Sequence, residues 1–180
     1  MLSRKAWQEL EKRFGPHTIH LTSLDSNTQI DSKGKMLSHF TPFFTPHSSG
    51  VNLFAQTILA AENAYLFPPF LLFGPLLRFL LESELCFTIV VPKLYPLPFR
   101  WPILISHSHP RLQLGSKRDL EILLFPSRSA SFVTRPLPWE LSAFRVASGK
   151  WTLFSLSLSV QTTQNLETGR PMSTMCLSQR

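Results

Sequence analysis

Phe67-Pro68-Pro69-Phe70 restricts the backbone of this chain more than any other stretch. Two adjacent prolines fix φ at neighbouring residues and delete two backbone donors. Each also pushes the residue before it out of the α region. The tetrapeptide is therefore a stiff, extended loop that presents aromatic rings, unsuited to the interior of a helix or strand. It follows Glu62-Asn63-Ala64-Tyr65 and precedes a largely apolar run over residues 71–81. The same chemistry recurs along the chain, where 15 prolines stand against 7 glycines, a ratio that predicts short elements joined by extended loops.

Composition narrows the function classes. At 180 residues with 43% hydrophobic content, the chain is long enough to bury one sizeable core. Charged residues make up only 16%, below the roughly 25% usual for soluble domains. The net charge of +7 suits contact with nucleic acid or another anionic surface, but Lys and Arg are scattered rather than blocked together. A mildly basic surface without a specific partner is the plainer reading. Cys86 and Cys176 offer neither metal spacing nor a disulfide framework, so a reducing, intracellular compartment is expected. The charged N-terminus lacks the apolar core of a secretory signal. Residues 66–77 contain three prolines and stop at Arg78, short of the roughly 18 apolar residues of a span. Neither secretion nor a membrane partner is predicted.

Residues 3–14 read as an amphipathic helix with Trp7, Leu10 and Phe14 on one face, ended by Gly15-Pro16. Residues 18–24 read as a short strand followed by the turn-forming Asp25-Ser26-Asn27. A loop-rich stretch covers 31–50, and 51–56 reads as a second short strand. After the double proline, 71–82 reads as a buried helix whose first turn is broken by Pro75. Residues 86–91 are β-branched and apolar on both faces, which predicts a central strand covered on both sides. The proline-rich stretch 92–102 is expected to be irregular, 120–125 a strand and 137–146 a helix. Strands alternating with helices predict an α/β layered fold. The Ser/Thr-rich residues 151–180 are expected to be disordered or only locally ordered.

Side chains that carry chemistry are thinly spread. His107 and His109 are two apart, which suits one face of a strand, and His17 and His20 are three apart. Neither pair has a Cys or carboxylate at zinc-site spacing, so surface or loop histidines are expected and no metal site. Asp25 and Asp31 flank a turn and Glu82 and Glu84 a helix end, which ordinary solvated carboxylates explain. There is no nucleophile elbow, phosphate loop or glycine-rich dinucleotide fingerprint.

One ordered series gathers these pieces: 7–14, then Gly15-Pro16-His17, Asp25-Ser26-Asn27, Gly50-Val51-Asn52-Leu53-Phe54-Ala55, Phe67-Pro68-Pro69-Phe70, Phe87-Thr88-Ile89-Val90-Val91-Pro92 and Leu137-Pro138-Trp139-Glu140-Leu141. Over residues 4–146 it resembles the polyprotein of DIRS-like and Ngaro-like retrotransposons, the class that uses a tyrosine recombinase. The matching segment lies downstream of reverse transcriptase, in the RNase H and adenine-methylase-like region. The resemblance implies a truncated polyprotein piece: a helix at 1–16, a retroelement-derived α/β segment at 17–146 and an unrelated tail at 147–180. It implies a partial Rossmann-like, methyltransferase-like three-layer core with short strands and Pro-rich loops. The implied partners are nucleic acid and the rest of the polyprotein.

That segment in turn resembles phage-type DNA N6-adenine methyltransferases, which use an Asp/Asn-Pro-Pro-Tyr/Phe loop after a strand. The acidic or amide group there accepts from the adenine amine while the aromatic ring stacks on the flipped base. Pro68, Pro69 and Phe70 match this base-stacking loop, whereas Phe67 stands where Asp or Asn is required, and a phenyl ring cannot stabilise charge on the amine. Asp25 and Asn27 are the available candidates for cofactor binding, with S-adenosylmethionine the cofactor only if the enzyme reading holds. His20 occupies a position where the family pattern has an acidic residue, and a neutral imidazole does not replace a carboxylate on magnesium. The implied function is therefore a polyprotein fragment without independent catalysis. The alternatives are a DNA adenine methyltransferase-like or RNase H-associated enzyme, or a weak nucleic-acid-binding module using scattered Arg and Lys with exposed Phe99 and Trp101.

Overall fold

The computed structural model describes residues 1–83, 85–127 and 131–147. Seven strands form one sheet: β1 (Ile19–His20), β2 (Ser38–Thr41), β3 (Gly50–Val51), β4 (Ala64–Leu66), β5 (Cys86–Lys93), β6 (Ser108–Gly115) and β9 (Glu140–Ala147). A separate antiparallel pair is made by β7 (Leu124–Pro126) and β8 (Phe132–Thr134). Across the sheet the order is β3-β2-β1-β4-β5-β9-β6. The first five of these run parallel, and β9 lies antiparallel between β5 and β6. The fold is thus mixed α/β around a mostly parallel sheet.

Three α-helices cover the sheet, and each is explained by its sequence. In α1 (Arg4–Phe14) the Ser3 hydroxyl accepts from the Ala6 N–H at 3.3 Å, and Lys12 and Arg13 meet the negative end of the helix dipole. Its buried stripe is Ala6, Trp7, Leu10 and Phe14. The helix ends at Gly15, whose N–H donates to the Glu11 carbonyl and where a Cβ would lie 2.5 Å from that oxygen. In α2 (Phe73–Glu82) Pro75 falls in the first turn, where no intrahelical donor is needed, so the helix continues through it. A short 3-10 turn at Phe70–Leu72 leads into it. The third helix, α3 (Trp101–His107), also begins with a proline in its first turn, Pro102.

Alternation along the central strands divides the interior in two. Leu66, Phe87, Ile89, Phe144 and Val146 face the cluster that includes Leu76, Leu77 and Leu80 of α2 and Trp101 and Leu104 of α3. Tyr65, Val90, Leu141 and Ala143 face the other cluster, with Trp7, Leu10 and Phe14 of α1 and with Leu123 and Leu137. The expected central strand at 86–91 is β5, paired on both sides and buried along most of its length.

Other expectations are corrected. Residues 137–146, expected to be helical, enter β9, because an eight-residue antiparallel register with β5 outweighs local preference. Of 51–56 only Val51 joins a strand; Asn52 turns left-handed (φ 57°) and Leu53–Ala55 form a 3-10 turn. The strand expected at 120–125 is shifted to Leu124–Pro126, and that at 18–24 is only Ile19–His20. The stretch 92–102 is irregular only between the end of β5 and the start of α3. Trp101 is buried edge-on against Phe144 at 5.6 Å, not exposed, whereas Phe99 is 91% exposed. His17 and His20 are buried rather than on the surface. The tail at 148–180, with Cys176, and also Glu84 lie outside the described residues. Among those described, no helix is long and apolar enough to cross a membrane.

The Phe144 ring joins β9 to α3 and is 1% exposed. Phe144→Ala is expected to cost about 3–5 kcal/mol through lost burial and the cavity left behind. Urea unfolding followed by circular dichroism checks this, with wild type giving one cooperative transition and the variant an earlier one.

Candidate functional site at the carboxyl ends of the parallel strands

In open parallel sheets, ligands sit outside the carboxyl ends of the strands, where the strand order reverses. Here the reversal lies between β1 and β4, which are hydrogen-bonded neighbours although β2 and β3 separate them in sequence. A cavity of about 490 Å³ opens at that edge, within the range of about 300–1,000 Å³ usual for small-molecule sites. The segment just after β1 supplies Leu21, Thr22, Ser23 and Leu24, and the turn beyond it Asn27. From β2 and the loop after it come Phe40, Thr41, Pro42 and Phe43, and from the segment after β3 come Asn52, Leu53 and Phe54. Pro69, Leu72 and Leu76 close the side nearest α2. None of these side chains is ionisable.

The sequence-predicted residues are divided by this geometry. Pro69 and Asn27 line the cleft; Phe67, Pro68, Phe70 and Asp25 do not. Phe67 packs against the α1-side cluster, Pro68 is buried, and Phe70 is 44% exposed. Asn27 Oδ1 accepts from the Leu24 N–H at 2.8 Å and so shapes its own turn. Asp25 accepts three hydrogen bonds: from Thr45 Oγ1 at 2.6 Å, His39 Nε2 at 2.7 Å and the His47 N–H at 3.2 Å. The Thr45 hydroxyl first, then His39 and the His47 amide, hold its carboxyl below the usual carboxylate range. Asp25 is therefore a tie between the loops after β1 and β2 rather than a free ligand. Asp31, likewise, accepts from the Lys33 and Lys35 N–H groups of its own turn.

A second polar constellation runs beneath α1. Register places His39, His20, Tyr65, Thr88 and Arg145 in one row across β2, β1, β4, β5 and β9. At one end a relay seats α1. Arg145 Nη1 donates to Thr88 Oγ1 at 3.0 Å, Thr88 Oγ1 donates to His17 Nε2 at 2.9 Å, and His17 Nδ1 donates to the Glu11 carboxylate. Burial pushes His17 below its ordinary value despite Glu11, which keeps the ring neutral and fixes this tautomer. Asn63 adds bonds to the Phe14 and Pro16 carbonyls at 2.9 and 2.7 Å and accepts from Arg145. In the middle of the row, His20 lies against Tyr65 with ring planes tilted by 51° and centroids 4.6 Å apart, and Trp7 meets Tyr65 edge-on at 4.8 Å. Both His20 ring nitrogens and the Tyr65 hydroxyl are buried without a hydrogen-bond partner among the described residues.

Thr22, Asn52 and Leu72 escaped sequence reasoning. Asn52 carried a usable signal, since asparagine tolerates the left-handed backbone that a sharp turn after a strand requires. Thr22 carried none, because its place in the cleft depends on where β1 ends. His107 and His109 do not form a site: His107 ends α3 with Nδ1 2.9 Å from the Ile103 carbonyl, and His109 lies on the exposed edge strand β6. No group of three or more potential metal ligands occurs among the described residues. Compared with known proteins, the chain matches no family model and no curated protein.

His20 yields a pH prediction. Burial, with His39, the chain's amino terminus and His17 adding to it, holds the ring at about 3. An unfolded chain binds that proton below about 6.5, whereas the native state does not until about 3. Stability is therefore complete above about 6.5 and falls by about 1.4 kcal/mol per pH unit below it. Urea midpoints measured from about pH 7 down to about pH 4 are expected to show this slope, and His20→Phe, which keeps the ring on Tyr65, is expected to lessen it by one proton's worth.

Proposed function

We propose that the chain is a segment of a retrotransposon polyprotein built on a Rossmann-like, methyltransferase-like core, without catalytic activity of its own. The strand order supports the core: its first five strands follow the doubly wound sequence 3-2-1-4-5, with one reversed strand set between β5 and β6. The ordered series from Trp7 to Leu141 supports the lineage. One observation carries the absence of catalysis. The position before Pro68-Pro69 is a phenyl ring packed into the α1-side cluster, so no polar atom stands where an adenine amine would need one. The partners proposed are nucleic acid, through the mildly basic surface, and the rest of the polyprotein.

The cleft's place where the strand order reverses raises a second reading, an adenine methyltransferase using S-adenosylmethionine. The residues present do not fit that donor. Its sulfonium, ammonium and carboxylate groups would enter a cleft lined by no ionisable side chain, and the nearby acid, Asp25, is engaged by three donors. An RNase H-associated nuclease is less favoured still, since His20 is buried where a metal-binding acid would be needed.

A methyl-transfer assay with labelled donor on adenine-containing DNA tests the reading. No incorporation above background is expected from the chain or from Phe67→Asp. Incorporation by the unmodified chain would overturn the proposal in favour of the enzyme.

A further inference from the structure

We propose that a groove on the solvent-facing side of α2 binds a phosphate group between the guanidinium groups of Arg78 and Arg100. Pro75, Arg78, Phe79 and Glu82 recur at helical spacing along α2 and supply most of its lining. Phe54, edge-on to Phe79 at 5.3 Å, and Arg100, the residue just before α3, complete it. The groove has a volume of about 430 Å³ and shares only Phe54 with the carboxyl-end cleft.

The first ground is the placement of Arg100. It is half-buried, and its side chain makes no hydrogen bond or ion pair among the described residues. It lies across Gly74 of α2, where a Cβ would stand 3.3 Å from Arg100 Cδ and 3.4 Å from Nε. The missing side chain at 74 is what lets Arg100 rest against the helix. A guanidinium cannot shed its charge, so a half-buried and unpaired one is best met by an anion.

The second ground is the balance of charge. Arg78 Nε donates to Glu82 Oε1 at 3.1 Å, but the two side chains are 69% and 66% exposed. Such a pair is weak and readily screened, and it leaves both Nη groups of Arg78 uncommitted among the described residues. The lining therefore carries two cations against one carboxylate, on a chain whose net charge of +7 favours the approach of anions. A phosphate has the charge and the free oxygens to engage both guanidinium forks at once, which a single carboxylate lacks. A free phosphate and the backbone of a nucleic-acid strand present the same group. Only the second source rests on the nucleic-acid partner proposed above, and methyl transfer reports on neither.

The arginine Nε–H NMR signals of the full 180-residue chain, followed as inorganic phosphate is added at constant ionic strength, test the site. The Arg78 and Arg100 signals are expected to shift saturably, with acetate binding at least about tenfold more weakly. Arg100→Gln is expected to weaken phosphate binding about tenfold with an unchanged melt. Glu82→Gln, which removes the competing carboxylate, is expected to tighten it severalfold. A thymidine single strand of about 12 nucleotides separates the two sources. If the strand competes with phosphate at these signals, and Arg100→Gln lowers its salt slope by about 1, the groove takes a nucleic-acid backbone. If the strand leaves them unmoved, the groove takes a free phosphate. The proposal is overturned if phosphate gives no saturable shift, if acetate binds as tightly, if Arg100→Gln leaves binding intact, or if Glu82→Gln fails to tighten it.

Discussion

Two-sided burial of β5 is the constraint from which the architecture follows. Along Cys86–Lys93 apolar side chains project to both faces, so neither face can be left to water. Phe87, Ile89 and Val91 require the cover of α2 and α3, while Val90 requires α1. The same strand places Thr88 among apolar neighbours on the α1 side, and a buried hydroxyl needs partners. It finds them in Arg145 and His17, and through His17 in Glu11. One strand therefore decides where three helices pack, and one polar side chain on it decides how α1 is anchored.

The polar groups of the molecule separate by role along the strand axis. Asn63, Arg145, Thr88 and His17 lie toward the amino end of β4 and β5 and are hydrogen-bonded to one another and to the end of α1. They fasten the structure. At the carboxyl ends the Thr22 hydroxyl has no hydrogen-bond partner among the described residues, and the walls are largely apolar. That asymmetry makes the cleft the candidate site and the relay architecture, although the relay holds the more conspicuous residue types. His20 and Tyr65 lie between the two, and burial of the His20 ring, which opposes its protonation, is the source of the acid sensitivity predicted above.

Legibility in the sequence followed the strength of local signals. The Trp7-Leu10-Phe14 stripe and the Gly15-Pro16 stop made α1 readable, and continuous apolarity made β5 readable. β2, β4 and the eight-residue β6 were not. Ser38–Thr41 is polar, Ala64–Leu66 has only three residues, and Ser108–Gly115 contains Pro110, which an edge strand tolerates but local patterning counts against. The segment entering β9 was misread because Leu137-Pro138-Trp139-Glu140 resembles a helix start. Of the candidate site, Pro69 and Asn27 were found from sequence, whereas Thr22 and Leu72 could not be, since each enters the cleft only once β1 and α2 are side by side.

By itself the sequence determined that the chain would break into short elements, that β5 would be central, and that Phe67-Pro68-Pro69-Phe70 would be a stiff loop. Proline geometry and apolar run length are local properties and need no partner to act. Only the tertiary structure decided which way the loop's side chains are used. Parallel pairing of β4 with β1 brings Pro69 to the cleft, while packing against α1 takes Phe67 away from it. The physical reason is that facing depends on long-range register: one residue of offset in a strand exchanges the two faces, and register is set by what the strand pairs with.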